Sequence, residues 1–380
     1  MNTIYFDHAA TTRVLPEAAQ AAVEVMTESY GNPSSLYHLG TQAAKRVAQD
    51  RALVAQALGC KADEVYFTSC GTEGDNWAIS LAVHLGRHKG KHIITTAVEH
   101  AAVLEPCKAL ELQGYEVTYL HPDATGHIPI EALEEALRPD TVLVSMMLVN
   151  NETGILQPVA EAARLLKRKK SAALLHTDAV QGFLKVPFTP KGLGVDLLTI
   201  SGHKIGAMKG SGALYIRSGL RALPLLRGGG QEKGLRSGTE ATPQIAALAA
   251  AAQLGRQGLE EHIAYLTSLK AYALETFQRV VPALTVVSAG EAPHICAISL
   301  PGYPSQVVVR YLSDKGFCLS SGSACHRGKA SHVYAAMNLS KAVRDGMLRV
   351  SFGPSNTREE VDRLAQALLA ATQELVSVGH

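Results

Sequence analysis

Polar side chains follow several apolar runs of this sequence, and three of them could perform chemistry together. Lys204 comes shortly after DLLTIS (196–201), Asp178 ends ALLHTD (173–178), and His100 follows HIITTAV (92–98). Ligands of open parallel sheets bind beyond the carboxyl ends of the strands. Partial desolvation there lowers the pKa of a lysine, and the resulting free amine can form a Schiff base with an aldehyde.

Each of these residues has an ordinary explanation when it is taken alone. Lys204 could be a surface lysine whose stem lies along apolar surface. Asp178 could cap a helix, and His100 could be a structural or solvated histidine. The turn Gly71-Thr72 after EVYFT (64–68) could be a capped helix start as well as a phosphate site.

The combination is more specific than any of its members. Pyridoxal phosphate requires a Schiff-base lysine, an acid for its pyridine nitrogen and a phosphate cradle. Lys204, Asp178 and the Gly71-Thr72 turn supply these three parts, each after a different predicted strand. Further strand ends carry groups that could stack on the ring or hydrogen-bond to it, namely His100, Asn151 and Gln181. The sequence therefore predicts a pyridoxal phosphate site.

The apolar runs alternate with amphipathic stretches, which favours an α/β fold with a mostly parallel sheet covered on both faces. From the Ala-rich helix near Pro243 onwards the order and spacing of helix and strand patterns change. We predict a large domain at 16–251 and a smaller α+β domain formed by 1–15 and 252–380. In the large domain we predict strands at 64–68, 92–98, 141–149, 173–178, 196–201 and 212–217. We predict helices near 73–87, 101–113 and 158–170.

The composition excludes several classes of function. The 380 residues carry 36 basic and 34 acidic side chains, for a formal net charge of +2, so no global field favours nucleic acid or an anionic membrane. The start has no signal-peptide pattern, and no apolar run approaches a membrane span. The six cysteines form no CxxC pair, which argues against a zinc site or a disulfide framework. We expect a cytoplasmic protein.

One cysteine stands in an unusual stretch, CLSSGSACHRGKAS (318–331). Cys325 is surrounded by small residues and followed by His326, Arg327 and Lys329. Neighbouring cations lower the pKa of a thiol, and a Gly/Ser-rich loop suits a nucleophile that has to move. Composition alone leaves an incidental loop cysteine as an equal alternative.

The motifs together resemble those of the class-V, fold-type-I pyridoxal phosphate enzymes. Within that group the sequence is similar to the cysteine desulfurases of the NifS/IscS type. The resemblance runs from residue 5 to about 357, in the order of the family, through YFDHAATT, YGNPSSLYH, FTSCGTEGDN, EHAAVL, VNNETG, HTDAVQ, SGHKIGAMKGSGALYI, RGGGQEKGLRSGTE, SSGSAC and MLRVSFGPSNT.

The resemblance implies a role for each matching position. Lys204 would bind the cofactor and move the α-proton of the substrate, and Cys325 would be the nucleophile. His100 would stack on the ring and shuttle protons. The remaining cofactor ligands would be Asp178 at the pyridine nitrogen, Gln181 at the ring hydroxyl, and Gly71, Thr72, Ser201 and His203 at the phosphate, with Asn151 near the ring.

Asn151 and Arg349 would orient the substrate, since the guanidinium fork suits a carboxylate. Thr239 would reach the phosphate of a neighbouring subunit, which implies a homodimer. Departures from the family pattern at Cys70, Gln231 and Lys233 touch none of these roles.

The implied activity is removal of sulfur from L-cysteine. It gives L-alanine and a persulfide on Cys325, which passes to an acceptor protein or a small thiol for iron–sulfur cluster assembly, tRNA thiolation or another pathway. The alternatives are a selenocysteine lyase or another pyridoxal phosphate C–S lyase, an aminotransferase, and a non-catalytic scaffold for sulfur carriers. A C–S lyase or an aminotransferase would have no use for Cys325.

Overall fold

The computed structural model describes residues 3–322 and 331–378. A seven-stranded sheet, ordered β2-β8-β7-β6-β5-β3-β4, forms its centre. The strands are β1 (Ile4–Tyr5), β2 (Val65–Thr68), β3 (His92–Thr96), β4 (Glu116–Leu120), β5 (Thr141–Ser145), β6 (Leu174–Asp178), β7 (Leu197–Ser201), β8 (Gly212–Ile216), β9 (Thr285–Ser288), β10 (Ile295–Ser299), β11 (Phe317–Cys318) and β12 (Met347–Ser351).

Helices precede, separate and follow these strands. They are α1 (Pro16–Thr27), α2 (His38–Leu58), α3 (Gly71–Gly86), α4 (Ala101–Glu111), α5 (Ile130–Ala136), α6 (Val159–Arg168), α7 (Pro190–Leu193), α8 (Thr242–Gln257), α9 (Leu259–Val280), α10 (Ser305–Asp314), α11 (His332–Ala336), α12 (Lys341–Asp345) and α13 (Arg358–Glu374).

The central sheet is mostly parallel, as the sequence predicts. Neighbouring strands from β4 through β7 run parallel, and β8 alone is antiparallel to its neighbours β7 and β2. Strands β3, β5, β7 and β8 are buried along their whole length, because helices cover both faces. The carboxyl ends of β2, β3, β5, β6 and β7 consequently meet at one edge of the sheet.

Helix α3 packs unusually closely on this sheet. A Cβ added at Gly74 would come within 2.6 Å of Thr199 Cγ2 on β7. Real Cβ atoms do not approach another carbon so closely, so glycine permits this contact. The N-terminus of α3 is thereby held over the ends of β6 and β7.

A smaller sheet of order β12-β10-β9 is antiparallel throughout. Its own apolar cluster includes Phe277, Phe352 and Leu364, and it also contains Ile4 and Phe6 from the start of the chain. Strand β1 pairs in parallel with β11. The first residues are therefore attached to this second layer and lead from it toward the central sheet.

Within the described ranges, we find no helix that combines the length and the apolar character needed to span a bilayer.

Candidate active site

An open cavity lies at the carboxyl edge of the central sheet. The segment 9–10, Val180 and Arg349 of β12 contribute to its wall together with the strand ends. The predicted site residues that line it are Gly71, Thr72, His100, Asn151, Asp178, Gln181, Ser201, His203, Lys204 and Arg349. Residues distant in the sequence are thus brought around one cavity, as expected from the strand ends.

One end of the cavity has the character of an anion site. Gly71 and Thr72 begin α3, where backbone N–H groups and the helix dipole favour negative charge. The hydroxyl of Ser201 is buried there without a hydrogen-bond partner. A Cβ at Gly71 would lie 2.9 Å from Val180 Cγ2, so the small residue keeps this end accessible. These groups fit a phosphate.

His203 also lines the cavity and is a neutral donor or acceptor. Its Nδ1 lies 3.1 Å from Thr11 Oγ1, and its backbone carbonyl accepts from the Thr12 hydroxyl at 2.9 Å. Burial and then the charge of Lys204 lower the pKa of His203 to about 4. The ring nitrogens can therefore take part in hydrogen bonds without adding a second full charge beside Lys204.

Asp178 ends β6 inside the cavity wall. It is 6% exposed, and its Oδ1 accepts from Val180 N at 2.8 Å. Burial, and after it the charge of Asp75, raises the pKa of Asp178 to about 7. A buried carboxyl of this kind requires a cationic partner to stay ionised at neutral pH, and a protonated pyridine nitrogen would be one.

A second buried acid, Asp75, lies close enough to Asp178 to affect its pKa and is not predicted from the sequence. Asp75 lines the same cavity, is 1% exposed and lies 3.5 Å from His176 Nε2. His176 contacts Thr199 Oγ1 at 3.2 Å and Ser145 Oγ at 2.9 Å, so four polar side chains form a chain beneath the site. Burial raises the pKa of Asp75 to about 7 and lowers that of His176 to about 4.

Replacing Asp75 by asparagine should therefore raise the stability of the cofactor-free protein relative to wild type as pH rises. The pKa of Asp75 is higher in the folded protein than in the unfolded chain, so its favourable contribution exists below about pH 4 and is lost on the way to about pH 7. Asparagine does not ionise. The resulting increase in the free energy of unfolding has an upper bound of about 4 kcal/mol.

The measurement is the melting temperature of both proteins from about pH 5 to about pH 8. Asp314→Asn, at a side chain that is 64% exposed on α10, is the control and should show no such trend. A difference between Asp75→Asn and wild type that is flat or falls with pH contradicts the prediction.

The start of the chain contributes to the site more than the sequence indicates. Lys204 Nζ donates to the carbonyls of Ala9 and Ala10, at 2.7 Å each. Gln181 Nε2 donates to the same Ala9 carbonyl at 2.9 Å, and its Oε1 lies 3.4 Å from His294 Nε2. The segment Asp7–Thr12 therefore holds several predicted cofactor ligands in place. Only the motif YFDHAATT pointed to it, without assigning it a role.

Arg349 is the substrate-binding candidate from the smaller sheet. It is 1% exposed, its Nη1 donates to the Asn151 carbonyl at 2.8 Å, and its Nη2 donates to Asp7 Oδ1 at 2.8 Å. Its Nε is buried without a hydrogen-bond partner. A cation with an unsatisfied donor on the cavity wall suits an incoming carboxylate.

His100 caps a helix and also lines the cavity. Its Nδ1 accepts from Ala102 N at 3.1 Å as the N-cap of α4, and the ring also lines the cavity. The capping bond fixes the orientation of the ring. An imidazole held in this way could lie against a bound cofactor ring.

Of the two remaining predicted residues, one lies away from this cavity and the other is outside the described part of the chain. Thr239 is exposed and does not line the cavity. The segment around it also contains the buried Glu232. Cys325 lies outside the described residues. Cys107 and Cys296 are buried, and burial raises the pKa of each thiol to about 12, which makes them unreactive core residues.

Comparisons with known proteins agree with this architecture. The model of the aminotransferase class-V family matches residues 4–364, and the chain belongs to that family. "Cysteine desulfurase 2" of Trichormus variabilis is 42% identical over 100% of this chain and 95% of its own length. "Cysteine desulfurase IscS" of Methanosarcina thermophila is 40% identical over 98% of this chain and 92% of its own length.

Solved structures show the same relationship. One described as a "NIFS-LIKE PROTEIN" superposes with a TM-score of 0.93 at 34% identity, covering 98% of this chain and all of the other. DndA from Streptomyces lividans superposes with a TM-score of 0.76 at 37% identity over 92% of this chain and 99% of the other. Enzymes of this family depend on pyridoxal phosphate, and the donors around the cavity fit that cofactor.

Proposed function

We propose that this chain is a pyridoxal phosphate-dependent L-cysteine desulfurase. The observation that carries the proposal is one cavity that holds the Lys204 amine, the buried Asp178 carboxyl and the buried Arg349 guanidinium. The similar proteins named cysteine desulfurase support it over nearly the full length of the chain. The products are L-alanine and a persulfide on Cys325, for transfer to an acceptor protein or a small thiol.

The proposed cofactor ligands divide into three groups. Gly71, Thr72, Ser201 and His203 hold the phosphate at the start of α3. Asp178 faces the ring nitrogen, and Gln181, His100 and Asn151 contact the rest of the ring. When bound, the cofactor supplies an electron sink next to the α-carbon of the substrate.

The remaining residues act on the substrate. Arg349 binds its carboxylate, and the Lys204 amine takes the α-proton. The Cys325 thiolate attacks the substrate sulfur, so that a sulfur–sulfur bond forms and the carbon–sulfur bond breaks. The electron pair of the broken bond stays with the carbon fragment, which takes up protons and leaves as L-alanine. No oxidant is needed.

The test is alanine formation from L-cysteine by the purified protein and by Cys325→Ser. We expect the variant to keep its bound cofactor and to lose alanine formation by about a hundredfold, because serine cannot accept sulfur. Cys60→Ser, at a half-buried cysteine, is the matched control and should behave as wild type. Equal alanine formation by wild type and Cys325→Ser would instead favour a selenocysteine lyase or another C–S lyase.

The proposed assembly is a homodimer with shared sites. Large apolar side chains are left exposed in the stretch 30–37: Tyr30 at 68%, Leu36 at 96% and Tyr37 at 63%. Such a patch is typical of a surface that another chain covers. A second copy would also bring the exposed Thr239 to the neighbouring phosphate site.

Sedimentation equilibrium tests the dimer. We expect twice the mass of the 40.3 kDa chain, and Leu36→Asp should shift the equilibrium toward monomer because it places a charge in the apolar contact. Leu112→Asp, at a residue that is 92% exposed just after α4, is the control. A fully active wild-type monomer would refute the shared site.

We also propose that the two layers are domains, with 16–251 as the cofactor-binding part and 1–15 with 252–380 as the smaller one. The separate apolar cluster that joins Ile4 and Phe6 to α9, α10 and α13 supports this division. Action in the cytoplasm and transfer to a sulfur-acceptor protein are part of the same proposal.

A further inference from the structure

Asp7 stands beside the guanidinium of Arg349, and neither motif nor spacing assigns it a function. We propose that Asp7 is a positioning residue that fixes the Arg349 fork for recognition of the α-carboxylate of the substrate. The inference rests on the proposed function for the identity of that substrate, an amino acid.

The contacts of Arg349 show how its side chain is held. Its Nη2 donates to Asp7 Oδ1 and its Nη1 to the Asn151 carbonyl, both at 2.8 Å. A guanidinium carries five N–H donors in one plane, and two fixed partners at its two ends define that plane. Rotation of the fork is thereby restricted before any substrate arrives.

The Nε donor of Arg349 is left for the carboxylate of the substrate. Nε of Arg349 is buried and has no hydrogen-bond partner, while the side chain lines the cavity. A buried donor without a partner is unfavourable until an acceptor reaches it. A carboxylate entering the cavity is such an acceptor, and Asp7 leaves Nε available to it because Asp7 contacts only Nη2.

Asp7 itself is placed by backbone pairing outside the cavity. It forms a parallel bridge with Ser351, two residues beyond Arg349 on β12. The next residues continue this attachment, since Ala9 N donates to Ser351 Oγ at 2.9 Å. Asp7 is not among the described residues that line the cavity. It therefore acts through Arg349 and not by touching the substrate.

Charge balance supports the same role. Arg349 is 1% exposed, and a buried cation without a counter-ion is strongly unfavourable. Burial holds the pKa of the nearby His294 well below its usual range and raises that of Tyr334, so both neighbours are neutral at pH 7. Among the described residues, the ion pair of Arg349 is the one with Asp7.

The experiment measures carboxylate recognition in the cofactor-loaded enzyme. L-Alanine and ethylamine, which lacks the carboxylate, are titrated while the absorbance of the cofactor is followed. We expect Asp7→Ala to weaken alanine binding by about tenfold and ethylamine binding by less than about twofold. Asp7→Asn keeps an oxygen for Nη2 and should remain within about threefold of wild type for both.

A matched control separates this effect from the loss of any ion pair. Asp196 pairs with Arg217 at 2.7 Å and is 17% exposed, close to the 18% of Asp7, but it lies at the other end of β7. Asp196→Ala should leave both titrations unchanged. If Asp7→Ala does not fold, Asp7→Ser carries the same test, because its side chain is too short to reach Nη2.

Equal weakening of alanine and ethylamine by Asp7→Ala, or no weakening of either, would overturn the proposal. So would an equal effect of Asp196→Ala. The outcome is independent of sulfur chemistry: a wild type that binds alanine through Asp7 and Arg349 but makes none from cysteine would refute the proposed function and leave this inference standing.

Discussion

Lys204→Ala is expected to lower alanine formation from L-cysteine by about ten-thousandfold, at the upper end of what one proton-transfer group contributes. In the proposed function the amine is both the attachment point of the cofactor and the base for the α-proton. In the structure its Nζ is held by the carbonyls of Ala9 and Ala10 at 2.7 Å, and neither carbonyl can take a proton in place of the lost amine.

Two further measurements sharpen this prediction. Lys209→Ala removes an exposed lysine five positions along the chain and should retain full activity. Added methylamine should restore part of the activity of Lys204→Ala, because a small amine can enter the space of the lost side chain and act as a base. Activity of Lys204→Ala near that of wild type would show that Lys204 is not the base.

Asp178→Asn has the second largest expected effect, a fall of about a thousandfold in kcat, as for the loss of one preorganised charge. Asparagine is nearly isosteric and can still accept from Val180 N, but it cannot stabilise a proton on the ring nitrogen as a carboxylate does. The electron sink would then be weakened while the cofactor stays in place.

Asp75→Asn is the control that separates loss of the Asp178 charge from loss of any other buried carboxylate in the cavity. Asp75 also lines the cavity and is also buried, and its carboxyl lies 3.5 Å from His176 Nε2. We expect its replacement to change kcat by less than about tenfold. An effect of Asp75→Asn equal to that of Asp178→Asn would mean that the two carboxyls act as one unit.

Much of the fold is predictable because its strands are continuous apolar runs. TVLVS of β5 and LLTIS of β7 have that pattern, and both are buried throughout. Strand β4 is not predictable in this way, because its sequence EVTYL lies at the edge of the sheet and mixes charged, polar and aromatic residues. The predicted strand at 141–149 is too long, since pairing ends at Ser145 and the chain turns into the cavity wall.

Much of the candidate site follows from position, because polar residues after parallel strands must meet at one edge. The contribution of Asp7, Ala9 and Ala10 could not be derived, since it depends on long-range pairing and, for Lys204, on backbone carbonyls. Asp75 was missed because it lies inside a helix, where an acid usually indicates a solvated face. Arg349 was found only through the family resemblance.

The attachment of the first residues to β12 has a consequence for the order of synthesis. Asp7 and Arg349 are separated by 342 positions, so two distant segments of the chain must meet before the proposed carboxylate site exists. The N-terminal part leaves the ribosome long before its partner does. A nascent or prematurely terminated chain could therefore shape the cofactor cradle at α3 but would not yet recognise an amino acid. Recognition of a free amino acid, as proposed above, therefore has to wait until Arg349 has been synthesised and has paired with Asp7.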